Sequence, residues 1–321
     1  MAKWLAGSSV EPSRVVLGSV YFGTEVTREQ SLAVMDAYFE GGGNFIDTAN
    51  GYAMWLPGGV GASELTIGEW IRSRGVRERV VLATKAAHPI DGKLIGNCAR
   101  SNIEQQLSQS MERLGVARVD LFWLHRDEPT RPVGEITETL ADIQRSGRIG
   151  SYGASNWEIR RFEAANAYAR EHGLAPFVAS QLPFSLGHVA DGPKATEPVS
   201  DSRDALRQWH VKSGMPLVAY TSQASGYFGA ENVAWAAGGF VGEPRRARDF
   251  DSPANRRRLL AAMELAKAKG CSANQIALSY LLNQRFPVYP IIGTGNPGHA
   301  REALGAVGIR LSEEEMAGLF A

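Results

Sequence analysis

Cysteine is scarce in this chain: two residues, Cys98 and Cys271, stand far apart and form no Cys-x-x-Cys pair. That excludes a disulfide framework and fits a reducing cytoplasm, where the protein is expected to reside. An excess of one charge sign is missing as well. The 34 Lys plus Arg balance the 34 Asp plus Glu, so no global field draws nucleic acid or an anionic membrane, and neither is expected as a partner. No apolar run approaches the roughly 18 residues of a membrane span. The start, Met1-Ala-Lys-Trp-Leu-Ala-Gly, lacks the apolar stretch of a signal peptide. There is no linker, no low-complexity stretch and no repeated sequence period.

What is present is ordinary for a globular chain: 321 residues, 44% hydrophobic and 21% charged, enough to bury a large core. Short β-branched runs alternate with helical patterns. The candidate strands are Arg14–Leu17, Asn44–Asp47, Val80–Thr84, Val119–Leu124, Ile149–Gly153, Phe177–Gln181, Leu217–Tyr220 and Val288–Ile292. Between them, period-3.6 faces recur, as in Ile103, Leu107, Met111 and Leu114, in Ile136, Leu140 and Ile143, or in Leu32, Met35 and Phe39. Thr27 with Gln30 and Ser272 with Gln275 have capping-box spacing. Strands buried on both faces and alternating with helices predict a parallel sheet. Eight such units without a composition break predict one domain over residues 1–321, a closed (β/α)8 barrel of the TIM type with long loops at its carboxyl face. Two stretches lack periodicity, Leu182–Asp201 and Ser222–Asp251, and the second is expected to serve as a lid.

Chemistry in such a barrel sits where the strands end at the carboxyl face. Asp47 closes Asn-Phe-Ile-Asp, Tyr52 follows in the same loop, Lys85 closes Val-Val-Leu-Ala-Thr-Lys, and His125 closes Asp-Leu-Phe-Trp-Leu-His. A Lys or Asp directly after a buried apolar run is costly unless paired. Together the four suit reduction of a carbonyl group. Tyrosine is a poor acid at a free pKa of about 10, and an adjacent ammonium is expected to lower that value. Asp47 would hold the ammonium, and neutral His125 would join Tyr52 in hydrogen-bonding the carbonyl oxygen.

At these residues the chain resembles the aldo-keto reductases over nearly its whole length. The block Phe45-Ile-Asp-Thr-Ala-Asn-Gly-Tyr52, followed by Ser63-Glu64 and Gly68, is similar to one family signature. Leu121-Phe-Trp-Leu-His125-Arg and Gly150-Ser-Tyr-Gly-Ala-Ser-Asn156 are similar to another. The wording Leu-His-Arg-Asp-Glu-Pro and Leu282-Asn-Gln-Arg-Phe-Pro-Val suggests a bacterial branch acting on sugars or related carbonyls. The resemblance implies a catalytic tetrad of Asp47, Tyr52, Lys85 and His125, with Tyr52 the acid. It implies NADP, with NAD as the alternative, bound extended across the barrel mouth without a Gly-x-Gly-x-x-Gly finger, and no metal. Gly18, Ser19, Val20 and Asp47 match positions beside the nicotinamide. Ser155, Asn156 and Gln181 match those that bond its carboxamide, and Tyr220 the aromatic that stacks on its ring.

The chain departs from the family pattern further on. Ala219-Tyr-Thr-Ser-Gln-Ala-Ser-Gly226 replaces the usual Ser-Pro-Leu, leaving Thr221, Ser222 and Gly226 as pyrophosphate contacts. Around Gly293, Gly295 and His299 the cations that clamp a 2′-phosphate in relatives are missing, Glu302 is retained, and His299, Arg301 or Arg248 are the substitutes available. Tyr21, Met54, Trp55, Trp123 and Trp157, with His125, are expected to wall the pocket of a small carbonyl substrate, an aromatic compound or a sugar. Two other functions fit part of the pattern: a non-catalytic cofactor-binding subunit, and an aldolase using Lys85 as a Schiff base. Oligomeric state is not legible.

Overall fold

The computed structural model describes residues 5, 8–88, 95–189, 203–244 and 247–320. Eight parallel strands close into a barrel in sequence order: β1 (Val16–Gly18), β2 (Phe45–Asp47), β3 (Val81–Ala86), β4 (Val119–Leu124), β5 (Ile149–Ser155), β6 (Ser180–Gln181), β7 (Leu217–Ala219) and β8 (Val288–Gly293). The last strand returns to the first, with Val16 opposite Ile291 and Gly18 opposite Gly293. Helices α1 (Arg28–Glu40), α2 (Ala62–Arg74), α3 (Arg100–Leu114), α4 (Val133–Arg145), α5 (Ile159–Glu171) and α6 (Arg203–Ser213) follow β1 to β6 in turn. After β7 come α7 (Ala230–Ala237), α8 (Pro253–Lys269) and α9 (Ala273–Leu282); after β8 come α10 (Pro297–Gly305) and α11 (Glu313–Gly318). Each strand location expected from the sequence holds a strand. The ends differ: β3 and β5 run two residues further, placing Lys85 and Ser155 inside strands.

Alternation along each strand builds two cores. One parity, Val16, Phe45, Val81, Ala83, Leu121, Trp123, Ala179, Val218 and Tyr289, fills the barrel interior. The other, with Leu17, Ile46, Leu82, Phe122, Leu124, Tyr152 and Ala154, packs outward against the helices. The helical faces meet it as the periodicity requires: Ile103, Leu107 and Leu114 of α3 and Ile136, Leu140 and Ile143 of α4 are all buried, while Met111 is half-buried. Burial of one such side chain stabilises by about 1.5–3 kcal/mol. Both capping boxes form, at Thr27 and Ser272. A third, Ser312 with Glu315, opens α11.

Inside the barrel Trp123 lies opposite Gly153. A Cβ on Gly153 would stand 2.4 Å from the Trp123 ring, so only glycine leaves room for the indole there.

The Ser222–Asp251 stretch is not a bare loop. It contains α7 and a turn at Arg248–Phe250, and it buries Tyr227, Phe228, Trp235 and Phe250 against α8 and α9. Eight residues are too few to show helical periodicity through the surrounding glycines, which is why the sequence does not reveal it. The aromatics anchor the segment rather than arm a flap. Of the other expected loop, residues 182–189 are described; Leu182, Phe184 and Leu186 are buried in the same cluster, and the remainder lies outside the described residues. Cys98 and Cys271 are both free thiols. Among the described residues no helix is long and apolar enough to cross a membrane.

Candidate active site

The parity that fills the barrel also selects what reaches its mouth. Phe45, Ala83, Trp123, Ala179 and Val218 point inward, so the residues two positions later continue on the same side one layer higher. Those residues are Asp47, Lys85, His125, Gln181 and Tyr220. Five strands thus bring five polar groups to the same end of the barrel.

Lys85 is the hub. Its ammonium donates to the Asp47 carboxylate, to the Tyr52 hydroxyl at 2.7 Å and to the Thr48 carbonyl oxygen at 2.8 Å. All three of its protons are engaged, which disfavours a Schiff-base role. Tyr52 donates to Asp47 at 3.3 Å, and the other oxygen of Asp47 accepts from Gln181 at 3.1 Å. Lys85 and Asp47 side chains are wholly buried. The ion pair is therefore insulated from screening, and neither member can leave without stranding the other.

Burial, then the Asp47 charge, push the Tyr52 phenol well above its usual value. The expectation that Lys85 lowers it is corrected: desolvation of a tyrosinate and repulsion from Asp47 outweigh the ammonium in the resting site, so Tyr52 holds its proton. Burial also lowers the Lys85 ammonium, opposed by Asp47 and Glu64. His125 is held well below the usual imidazole range by burial, reinforced by Lys85, His88 and Arg126, and is neutral at pH 7. Its Nδ1 is buried without a hydrogen-bond partner among the described residues. Its ring meets Tyr52 edge-on at 5.8 Å and His88 at 4.8 Å.

Beneath this group runs a polar support. Ser19 donates to the Asp47 carbonyl at 3.0 Å and accepts from Ser63, which also bonds Thr48. Buried Glu64 accepts from Thr84 at 2.7 Å and pairs with Arg113 at 3.1 Å. His88 and Arg113 went unnoticed in the sequence. For His88 a signal existed, since it lies three residues past Lys85, in the segment that follows β3.

Beside the tetrad, Ser155 donates to the Gln181 carbonyl at 3.0 Å, and Asn156 donates to the His125 carbonyl at 2.9 Å. Tyr220 donates to the Asn156 side chain at 2.7 Å. Gly18 lies opposite both Asp47 and Gly293, Ser19 is buried, and Val20 is half-buried. Thr221 is exposed with φ 53°, and Ser222 donates to the Ile291 carbonyl at 2.5 Å. Gly226 has φ 90° in the turn before α7. Arg248 is exposed and paired with Glu243 at 3.0 Å. The Glu302 carboxylate accepts from Ser272, so it ties α10 to the cap of α9. His299 is exposed in the first turn of α10, and Arg301 pairs with Glu40 at 3.2 Å.

Two expectations fail here. Gly293-Thr-Gly-Asn-Pro-Gly298 does carry Gly-x-Gly-x-x-Gly spacing, starting on the last residue of β8 and running into α10. Gly293 has nothing within 4 Å of where a Cβ would stand, and its N–H meets Gln223 at 3.3 Å. And two of the expected pocket tryptophans are structural. Asn156, at φ 62°, turns the chain so that Trp157 enters the outer core between Phe162 and Phe177, with centroids 5.8 and 5.1 Å away. Trp123 is the inward layer beneath His125, with no exposed surface. Tyr21, Met54 and Trp55 are exposed, in the loops after β1 and β2.

The family model described as the Aldo/keto reductase family matches residues 14–320. Norsolorinic acid reductase B of Dothistroma septosporum is 30% identical, over 96% of this chain and 78% of that protein. A crystallised thermostable aldo-keto reductase, in complex with the inhibitor epalrestat, matches with a TM-score of 0.71 at 25% identity, over 98% of this chain and 97% of that one. An aldo/keto reductase from Klebsiella pneumoniae, solved with NADP and acetate, matches with a TM-score of 0.70 at 24% identity, over 98% and 92%. A buried Lys–Asp pair holding a tyrosine at the mouth of an eight-stranded barrel, with the family model covering nearly the whole chain, places this protein in the aldo/keto reductase family.

Proposed function

We propose that this protein is a cytoplasmic, single-domain carbonyl reductase that uses NADPH in preference to NADH, with Tyr52 as the acid that protonates the carbonyl oxygen. The observation that carries the reading is the Tyr52 hydroxyl held 2.7 Å from the Lys85 ammonium beside neutral His125.

The residues present fit a nicotinamide cofactor. Ser155, Asn156 and Gln181 offer a carboxamide hydrogen-bonding partners at the mouth, next to the Tyr220 ring. The open turn at Gly293–Gly298 leads into the α10 N-terminus, with His299 exposed beside it, and suits a phosphate. The solved Klebsiella pneumoniae relative carries NADP. When bound, the cofactor supplies a hydride to the carbonyl carbon.

The chain's own groups handle the oxygen. His125 and Tyr52 bind it, and the phenol gives up its proton as negative charge develops there. Lys85 then faces a tyrosinate at hydrogen-bond distance, and its ammonium, held by Asp47, stabilises that anion. The raised resting value of Tyr52 keeps the acid loaded, and Lys85 lowers the cost of discharging it. The substrate's body rests on Tyr21, Met54 and Trp55, which favours a carbonyl attached to an aromatic or otherwise flat apolar group.

Tyr52→Phe tests the assignment. Turnover of a reducible aldehyde should fall by on the order of 10²–10⁴-fold, while NADPH still quenches tryptophan fluorescence with nearly parental affinity. Undiminished turnover would refute it. A parent protein that binds NADPH yet reduces nothing in a broad aldehyde and ketone panel would favour the non-catalytic subunit.

A further inference from the structure

Immediately after His125 come Arg126, Asp127 and Glu128. Three adjacent charges of opposite sign would ordinarily neutralise one another, and here they do not. Asp127 is gripped by both guanidinium arms of Arg161, at 2.7 and 2.8 Å. Glu128 is taken by Arg131, at 3.0 and 3.1 Å, and by the Cys98 N–H at 2.7 Å. Asp47, the carboxylate at the mouth, belongs to Lys85.

Among the described residues, Arg126 is left with no carboxylate. Its side chain makes no hydrogen bond or ion pair among the described residues, and one guanidinium nitrogen, Nη1, is buried without a partner. A half-buried cation in that state is costly: it has given up part of its water and received nothing in exchange.

The backbone beneath it is firmly set. The Cys98 thiol donates to the Arg126 carbonyl at 3.6 Å, and Gly96 packs so closely that a Cβ there would stand 2.8 Å from the same oxygen. Arg126 follows directly on His125 past the carboxyl end of β4, and its charge helps hold the His125 imidazole down; burial lowers the Arg126 guanidinium itself, partly offset by the Tyr220 phenol. An unsatisfied planar fork on a rigid base, beside the carbonyl-binding histidine, is suited to an arriving carboxylate.

We propose that Arg126 is a specificity-determining residue that binds an anionic substituent, a carboxylate in the first instance, on the carbonyl substrate. This rests on the reductase reading above and adds a substrate class to it: flat, apolar carbonyl compounds that carry a negative charge close to the reacting group.

The test uses the parent protein with NADPH and formylbenzoates bearing the carboxylate ortho, meta or para, each beside its methyl ester. For at least one isomer, kcat/KM for the acid should exceed that for the ester. In Arg126→Gln that acid-to-ester ratio should drop by about 10- to 100-fold, the range for losing a charge-assisted hydrogen bond. Arg126→Lys should keep part of the preference. A ratio that Arg126→Gln leaves unchanged overturns the proposal while leaving the reductase reading intact. So does a tenfold or greater loss of NADPH affinity with the ratio preserved, which would assign the guanidinium to a cofactor phosphate. If the parent reduces neither acid nor ester while binding NADPH, the reductase reading fails and this inference falls with it.

Discussion

Replacing Lys85 by Met removes the counter-ion of a carboxylate that has no access to water. In the parent, Asp47 receives Lys85 and Tyr52 on one oxygen and Gln181 on the other. Without the ammonium, two neutral donors remain around a buried charge. Breaking such a pair from one side costs about 3–5 kcal/mol, a large part of the roughly 5–15 kcal/mol that holds a folded domain together. The double variant Lys85→Met with Asp47→Asn removes the stranded charge as well. It should recover to within about 1–2 kcal/mol of the parent, because a neutral pair is nearly as good as an ion pair that has paid its desolvation. Urea unfolding followed by tryptophan fluorescence, run on the parent, both single variants and the double, reads this directly. Activity should follow a different course. Both Lys85→Met proteins lose the group that stabilises tyrosinate, so turnover stays low even where stability returns. A single variant that loses under about 1 kcal/mol, or a double no more stable than Lys85→Met, would show that the pair is not insulated as described.

Two further outcomes follow from other parts of the molecule. His210 is buried in its neutral form, one ring nitrogen 2.8 Å from the Met215 carbonyl and the other 3.0 Å from the Ser180 hydroxyl, and burial lowers its pKa from 6.5 to about 4. A depressed folded-state value means the stabilisation is complete above the unfolded pKa and lost as pH falls from about 6.5 towards 4, by up to about 3 kcal/mol; denaturation midpoints across that range should decline less steeply in His210→Gln, and an unchanged slope would exclude the assignment. Trp157→Ala should cost about 3–5 kcal/mol in a thermal or urea melt because it empties the outer core between Phe162 and Phe177. It should move KM for aldehydes little compared with Trp55→Ala; the reverse pattern would return Trp157 to the substrate pocket.

The site was legible where the residue's chemistry disagreed with its surroundings. A Lys, an Asp and a His at the ends of apolar strands are anomalies visible in one dimension, and the parity of a strand places them inside. The tryptophans were not legible in this way. Trp55 and Trp123 flank catalytic residues in sequence and Trp157 flanks Asn156, yet one is exposed, one is barrel interior and one is outer core. For Trp157 the positive φ of Asn156 directs the ring outward, and nothing in the local composition announces that. The short helix α7 was missed because eight residues between glycines give too brief a pattern. The glycine spacing from Gly293 to Gly298 stands in the sequence, but that it forms an open turn into α10 shows only in the fold.

By itself, then, the sequence determined the barrel and the identity of its polar rim: periodicity sets strand and helix, and a charged group closing a buried strand must find a partner. Which partner, and with what effect, was decided only in three dimensions. The pKa of Tyr52 depends on how far burial and Asp47 outweigh Lys85, a balance set by distances of a few ångströms and by exclusion of water. That Arg126 meets no carboxylate among the described residues depends on Asp127 and Glu128 turning to arginines 34 and 3 residues away. Sequence order carries the supply of charge, while folding alone settles how the charges are paired.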